Sequence, residues 1–87
     1  MLSVGRAAHG RRLVVFRAPG TGSYALVAGR KVGNAVQRNR ARRVMRAAWR
    51  EVGTTDPRQD VVIVARAAIA GATSPELVSE IEELLTR

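Results

Sequence analysis

Residues 33–53 read GNAVQRNRARRVMRAAWREVG. Asn34 followed three residues on by Gln37 is a capping-box pattern, with Asn in place of the usual Ser or Thr. Gly53 can take the left-handed conformation that ends a helix. The apolar spacing between them predicts a helix from about Ala35 to Val52. On a wheel of about 100° per residue with Val36 at zero, Ala41, Val44, Met45, Ala48, Trp49 and Val52 fall between about 80° and 220°. Arg38, Arg40, Arg42, Arg43, Arg46 and Arg50 sweep the other side, from about 200° through 340° to 40°, with Asn39 at about 300°. One face is core and the other is an arginine surface. Surface helices normally mix charges, because opposite charges four residues apart stabilise and like charges repel. A helix face with six arginines and no acid needs its negative charge from outside the chain.

Charge along the chain is segregated in the same sense. Residues 1–50 hold twelve Lys or Arg and no acid, and residues 51–87 hold three basic residues and all seven acids. Eight of the fifteen basic residues lie between Arg30 and Arg50. With a net charge of +8, this is the electrostatic footprint of a nucleic-acid binder. A merely soluble, charged domain is the bland alternative, but solubility does not require segregation. Arginine suits phosphate because its planar fork holds two oxygens and stays charged. Asn39, within the ridge, can donate to or accept from a ribose hydroxyl or a base edge. Asn34 is either a cap alone or a cap that also touches the partner.

Upstream, Arg12–Arg17 (RLVVFR) is a short apolar, β-branched run, and Pro19–Gly22 breaks it. Ser23–Ala28 (SYALVA) reads as a second strand, so the two are expected to form an antiparallel hairpin. Gly29–Gly33 is a loop carrying Arg30 and Lys31. Downstream, Thr54–Gln59 is a polar linker, and Asp60–Ala65 (DVVIVA) is a continuous apolar run expected to be a central strand buried on both faces. Ser74 as N-cap with Pro75 behind it opens a last helix, whose Leu77, Ile81, Leu84 and Leu85 make one apolar stripe. The order is β-β-α-β-α. It predicts a single α+β domain over residues 1–87, an α/β sandwich with a small sheet of about three to four strands, the central basic helix and a C-terminal helix. Trp49 lies on the apolar side and reads as core. Phe16 and Tyr24 lie on strands, where aromatics either pack in the core or offer a stacking platform to unpaired bases.

Catalytic signals are weak. There is no cysteine and one histidine, His9, which excludes thiolate and multi-histidine metal sites. The carboxylates form no set suited to two-metal hydrolysis, and the serines have no triad partner. His9 reads as an ordinary surface residue in an N-terminal segment. The glycine-flanked Gly29–Gly33 is not a P-loop. No run of about 18 apolar residues predicts a membrane span, and the N-terminus lacks the apolar stretch of a signal peptide. We therefore expect a cytoplasmic protein with no membrane partner.

The sixteen residues Lys31–Arg46, KVGNAVQRNRARRVMR, resemble the signature of the bacterial ribonuclease P protein subunit, K-x-G-N-A-V-x-R-N-R-x-[KR]-R-x-x-R, at every fixed position. Asp60–Arg66 resembles that family's next strand with its flanking Asp and Arg. The resemblance implies an accessory subunit of the endonuclease that removes 5′ leaders from precursor tRNA. In such an enzyme the RNA subunit cleaves with Mg²⁺, and no catalytic or metal-ligating residue is expected in the protein. It further implies that Arg38, Asn39, Arg40, Arg42, Arg43 and Arg46 contact the ribonuclease P RNA. Arg30, Lys31, Asn34 and Arg50 are candidates to extend that interface. Phe16 would face the cleft for the precursor-tRNA leader, with Tyr24 and Arg66 as further candidates. A left-handed crossover through the basic helix and one protein monomer per RNA are also expected. Two departures from the family pattern stand out. The segment before the first clear strand is short, and Gly29-Arg30-Lys31 replaces a usual Ser-Lys-Lys. A general nucleic-acid-binding module and a self-sufficient nuclease are the competing readings.

Overall fold

The computed structural model describes residues 5–53 and 56–86. Met1–Val4, Thr54 and Thr55 of the expected linker, and Arg87 lie outside them. Four strands form one sheet: β1 (Arg6–His9), β2 (Leu13–Pro19), β3 (Tyr24–Val27) and β4 (Gln59–Ala65). Two helices, α1 (Ala35–Val52) and α2 (Ser74–Leu85), complete an α+β domain, with 3₁₀ turns at Arg30–Val32 and Ala67–Ile69.

The sheet order is β1-β2-β4-β3, which corrects the expected hairpin. β2 and β3 are not neighbours; β4 lies between them, antiparallel to β2 and parallel to β3. β4 is the longest apolar run, and the central position pairs both its edges. β3 has four residues and is largely exposed, as suits an edge strand. The loop between β2 and β3 bridges the start of β4 through Asp60, whose Oδ1 accepts from the backbone N–H of Thr21 at 2.9 Å and of Ser23 at 3.0 Å. Gly20 permits this, since a Cβ there would lie 2.1 Å from that carboxylate. The parallel β3–β4 pair is joined by α1.

β1 is a second correction. It pairs antiparallel with β2, Ala7 opposite Phe16 and His9 opposite Val14, so His9 sits in the sheet. Its four residues alternate too weakly in polarity to be read as a strand alone.

Strand alternation divides the sheet into two faces. Leu13, Val15, Val61, Ile63 and Ala65 are buried in one core with Met45, Ala48 and Trp49 of α1 and Leu77, Ile81 and Leu84 of α2. Val14, Phe16, Val62 and Val64 point the other way and are half-buried. The expected burial of β4 on both faces is therefore only half right: both helices pack on one side. Trp49 is core, its ring centroid 5.6 Å from that of Tyr24.

The helix ends follow local chemistry. Asn34 Oδ1 accepts from Gln37 N–H at 3.0 Å, and Gln37 Oε1 accepts from Asn34 N–H at 2.8 Å. Gly33 has φ +141°, and a Cβ there would lie 1.9 Å from Gln37 Oε1, so the glycine of the motif is required by the cap. Gly53 closes α1 at φ 65°. In α2 the N-cap is Thr73, not Ser74, because only Thr73 places a glutamate three residues on. Glu76 Oε1 accepts from Thr73 N–H at 2.9 Å and Thr73 Oγ1 at 3.0 Å.

Those two bonds, with a smaller contribution from Arg12, hold the Glu76 carboxyl below its ordinary range. A carboxylate so depressed contributes stability above its unfolded pKa and loses it as pH falls through the folded one. Acid melts of the wild type should thus lose stability below the ordinary carboxylate range, and Glu76→Gln should flatten that limb. Parallel acid limbs in urea melts across that window would exclude Glu76 as a contributor.

Candidate nucleic-acid interface

The outer face of α1 is the strongest charged feature of the molecule. Arg40, Arg43, Arg46, Arg50 and Asn39 are exposed, and Arg38 and Arg42 are half-buried at its margins. Among the described residues no α1 arginine pairs with an acid; the ion pairs are Arg12 with Glu76 and Glu80, and Arg58 with Asp56. The acids of α2 are therefore not spent on neutralising α1.

Arg42 is more tightly held than its neighbours. Its Nη2 donates to Asn39 Oδ1 and its Nη1 reaches the Ala28 carbonyl at 3.5 Å. Arg42 thus ties α1 to the end of β3, and Asn39, its oxygen engaged, presents its NH₂ outward as a donor. Asn34 has its side chain in the cap. Val36 is 76% exposed toward one edge of the basic sweep, a site the charge pattern did not single out. An apolar side chain there offers contact to a sugar or base flanked by charge.

Arg30 and Lys31 are exposed on the 3₁₀ turn before α1. Lys31 lines an open depression of about 590 Å³ together with Arg66, Arg11, His9, Val14 and Val64. The floor is the half-buried sheet face that also carries Phe16, paired with Val62 and two positions along β2 from Val14. The fold thus brings Phe16, Lys31 and Arg66 to one side of the sheet. Tyr24 is not among them: its register with Val61 puts it on the helix-covered face, against Trp49. Arg11 and His9 were missed because β1 was not recognised. Arg66 also fastens the β1–β2 turn, donating from Nη1 to the Gly10 carbonyl at 3.2 Å and from its backbone N–H to the Arg12 carbonyl at 2.8 Å.

The carboxylates are placed for structure. Asp60 organises the β2–β3 loop, and Glu76 and Glu80 hold Arg12. Among the described residues no three His, Asp or Glu converge as a metal site. Nor is any helix there long and apolar enough to cross a membrane.

Comparison with known proteins agrees with this layout. No curated protein matches the chain by sequence. The ribonuclease P protein of Staphylococcus aureus superposes with a TM-score of 0.75 at 22% identity, over 94% of this chain and 79% of that one. That of Thermotoga maritima also gives 0.75 at 22% identity, over 93% and 81%. These likenesses establish a shared fold. The model of the Ribonuclease P family matches residues 1–87, and with the basic helix in place the conclusion is direct: the chain belongs to the ribonuclease P protein family, as an RNA-binding protein subunit of that tRNA-processing enzyme.

Proposed function

We propose that this subunit docks on the ribonuclease P RNA through the outer face of α1, and holds the single-stranded 5′ leader of precursor tRNA on the uncovered face of its sheet. The observation that carries the reading is the absence of any acid partner for the α1 arginines among the described residues. An RNA backbone supplies the missing charge and releases counterions on binding. Arg38, Arg40, Arg43 and Arg46 contact phosphate or base, Asn39 donates from its amide, and Arg42 positions both Asn39 and the helix. Arg30 and Lys31 extend the rim toward the leader.

Phe16 offers a ring for stacking an unpaired base, with Lys31 and Arg66 on the same side of the sheet for its phosphates. Cleavage is carried by the RNA subunit with Mg²⁺ held there, one protein monomer serves one RNA, and the complex works in the cytoplasm. The chain's own part is to bind and orient leader and RNA.

Phe16→Ala should lower the preference for leader-bearing over mature tRNA by about tenfold, the worth of one base-stacking contact, while affinity for the ribonuclease P RNA is kept. The measurement is a pair of binding titrations on the reconstituted complex. An unchanged preference would remove Phe16 and this face from leader binding.

A further inference from the structure

Beside the basic face of α1 lies a cavity that phosphate docking does not use. It encloses about 150 Å³ between α1 and the 67–72 segment. Its walls include Val32, Ala41, Val44, Ile69 and Ala72, and Gln37 and Arg40 also line it. Ile69 and Ala72 come from the turn after β4, so the cavity exists only because that turn folds back over the helix.

A cavity of this volume admits one aromatic ring. The two polar residues on it both have donors to spare. Gln37 uses its oxygen for the cap, and its NH₂ makes no hydrogen bond among the described residues. The Arg40 guanidinium likewise has no partner there. An apolar slot with two donors, bordering a cationic face, matches a planar group edged with carbonyl and ring-nitrogen acceptors. Unpaired nucleobases of RNA have that shape and chemistry, and proteins read them by splaying them into such sites.

We propose that this cavity receives one unstacked nucleobase of the ribonuclease P RNA, its ring against Val44 and Ile69 and its acceptors toward Arg40 and Gln37. This rests on α1 being the RNA-docking face. It gives the helix a base-reading element beside its phosphate contacts, so the docked RNA is selected by one unpaired position as well as by charge.

Ala70 is exposed and lines the cavity, so Ala70→Phe plugs it with little burden on the core. The ribonuclease P RNA would be probed with dimethyl sulfate and kethoxal for base reactivity and with hydroxyl radical for backbone, free and bound to each protein. The wild type should protect one unpaired base. Ala70→Phe should return that base to its free reactivity and lower affinity about tenfold, with the backbone footprint kept. Ala70→Leu, a shorter plug, repeats the test should the phenyl ring disturb folding, which thermal melts would reveal. Base reactivities and affinity unaltered by a folded plug would overturn the proposal. A wild type that leaves no backbone footprint would overturn the docking reading itself, and the cavity's occupant with it.

Discussion

Replacing Arg43 and Arg46 together by alanine should weaken binding to the ribonuclease P RNA on the order of a hundredfold at low salt, taking about 1.5 kcal/mol for each charge-assisted contact. The dependence of log affinity on log salt should flatten by about 2, one for each phosphate that is no longer neutralised. Both side chains are exposed, and neither has an acid partner among the described residues. The change therefore removes charge from the surface without unsettling the core, and the melting temperature should hold. Titrations by fluorescence anisotropy at several salt concentrations separate the two effects. Equal slopes for variant and wild type would place these arginines outside the interface.

The second large effect concerns folding. Glu80, only 10% exposed, joins α2 to the β1–β2 turn. Its Oε2 accepts from the backbone N–H of Arg12 at 2.7 Å and of Leu13 at 2.9 Å, and Arg12 Nη1 lies 3.2 Å from Oε1. Gly10 must be glycine beside it, since a Cβ would come within 2.5 Å of that carboxylate. Leu13 is fully buried, so its N–H loses the acceptor that the fold provides for it. Glu80→Ala should cost about 2–4 kcal/mol, a large part of the roughly 5–15 kcal/mol that holds a small domain together. Glu80→Gln keeps an acceptor and should lose less. Because Glu80 lies away from the α1 face, RNA affinity of the folded fraction should be unchanged. Urea melts decide it; a Glu80→Ala midpoint equal to wild type would mean the network contributes nothing.

Local chemistry carried much of this structure in the sequence. The limits of α1 were legible because Asn34, Gln37 and Gly53 act within a few residues of the helix they bound. Its two faces were legible because arginine and aliphatic side chains separate cleanly at a helical period. The sheet order was not. A short turn-rich loop between two apolar runs favours a hairpin, and nothing local to those runs reveals that β4 will enter between them. That outcome depends on Asp60, nearly forty residues downstream, and on competition for the central position. β1 escaped because Arg6-Ala7-Ala8-His9 has no alternation and little β propensity of its own, and forms a strand only when a neighbour supplies the pairing.

The site shows the same division. The arginine ridge, with Lys31, was readable as a charge pattern, and the resemblance at Lys31–Arg46 gave it a family. Phe16 and Tyr24 could not be told apart, because face assignment follows from register with β4. Only the fold separates Phe16 on the open face from Tyr24 against Trp49. The cavity beside Arg40 was invisible for a related reason: one side of its wall comes from Ile69, Ala70 and Ala72, brought to α1 by the turn after β4.

The most direct test of the account is a reconstitution with end-labelled precursor tRNA, the ribonuclease P RNA of the same source and limiting Mg²⁺. Accurate 5′ cleavage should require RNA and be strongly stimulated by this protein, should be absent with protein alone, and should fade with the Arg43→Ala/Arg46→Ala variant. Cleavage by protein without RNA, or stimulation indifferent to the loss of those arginines, would contradict it.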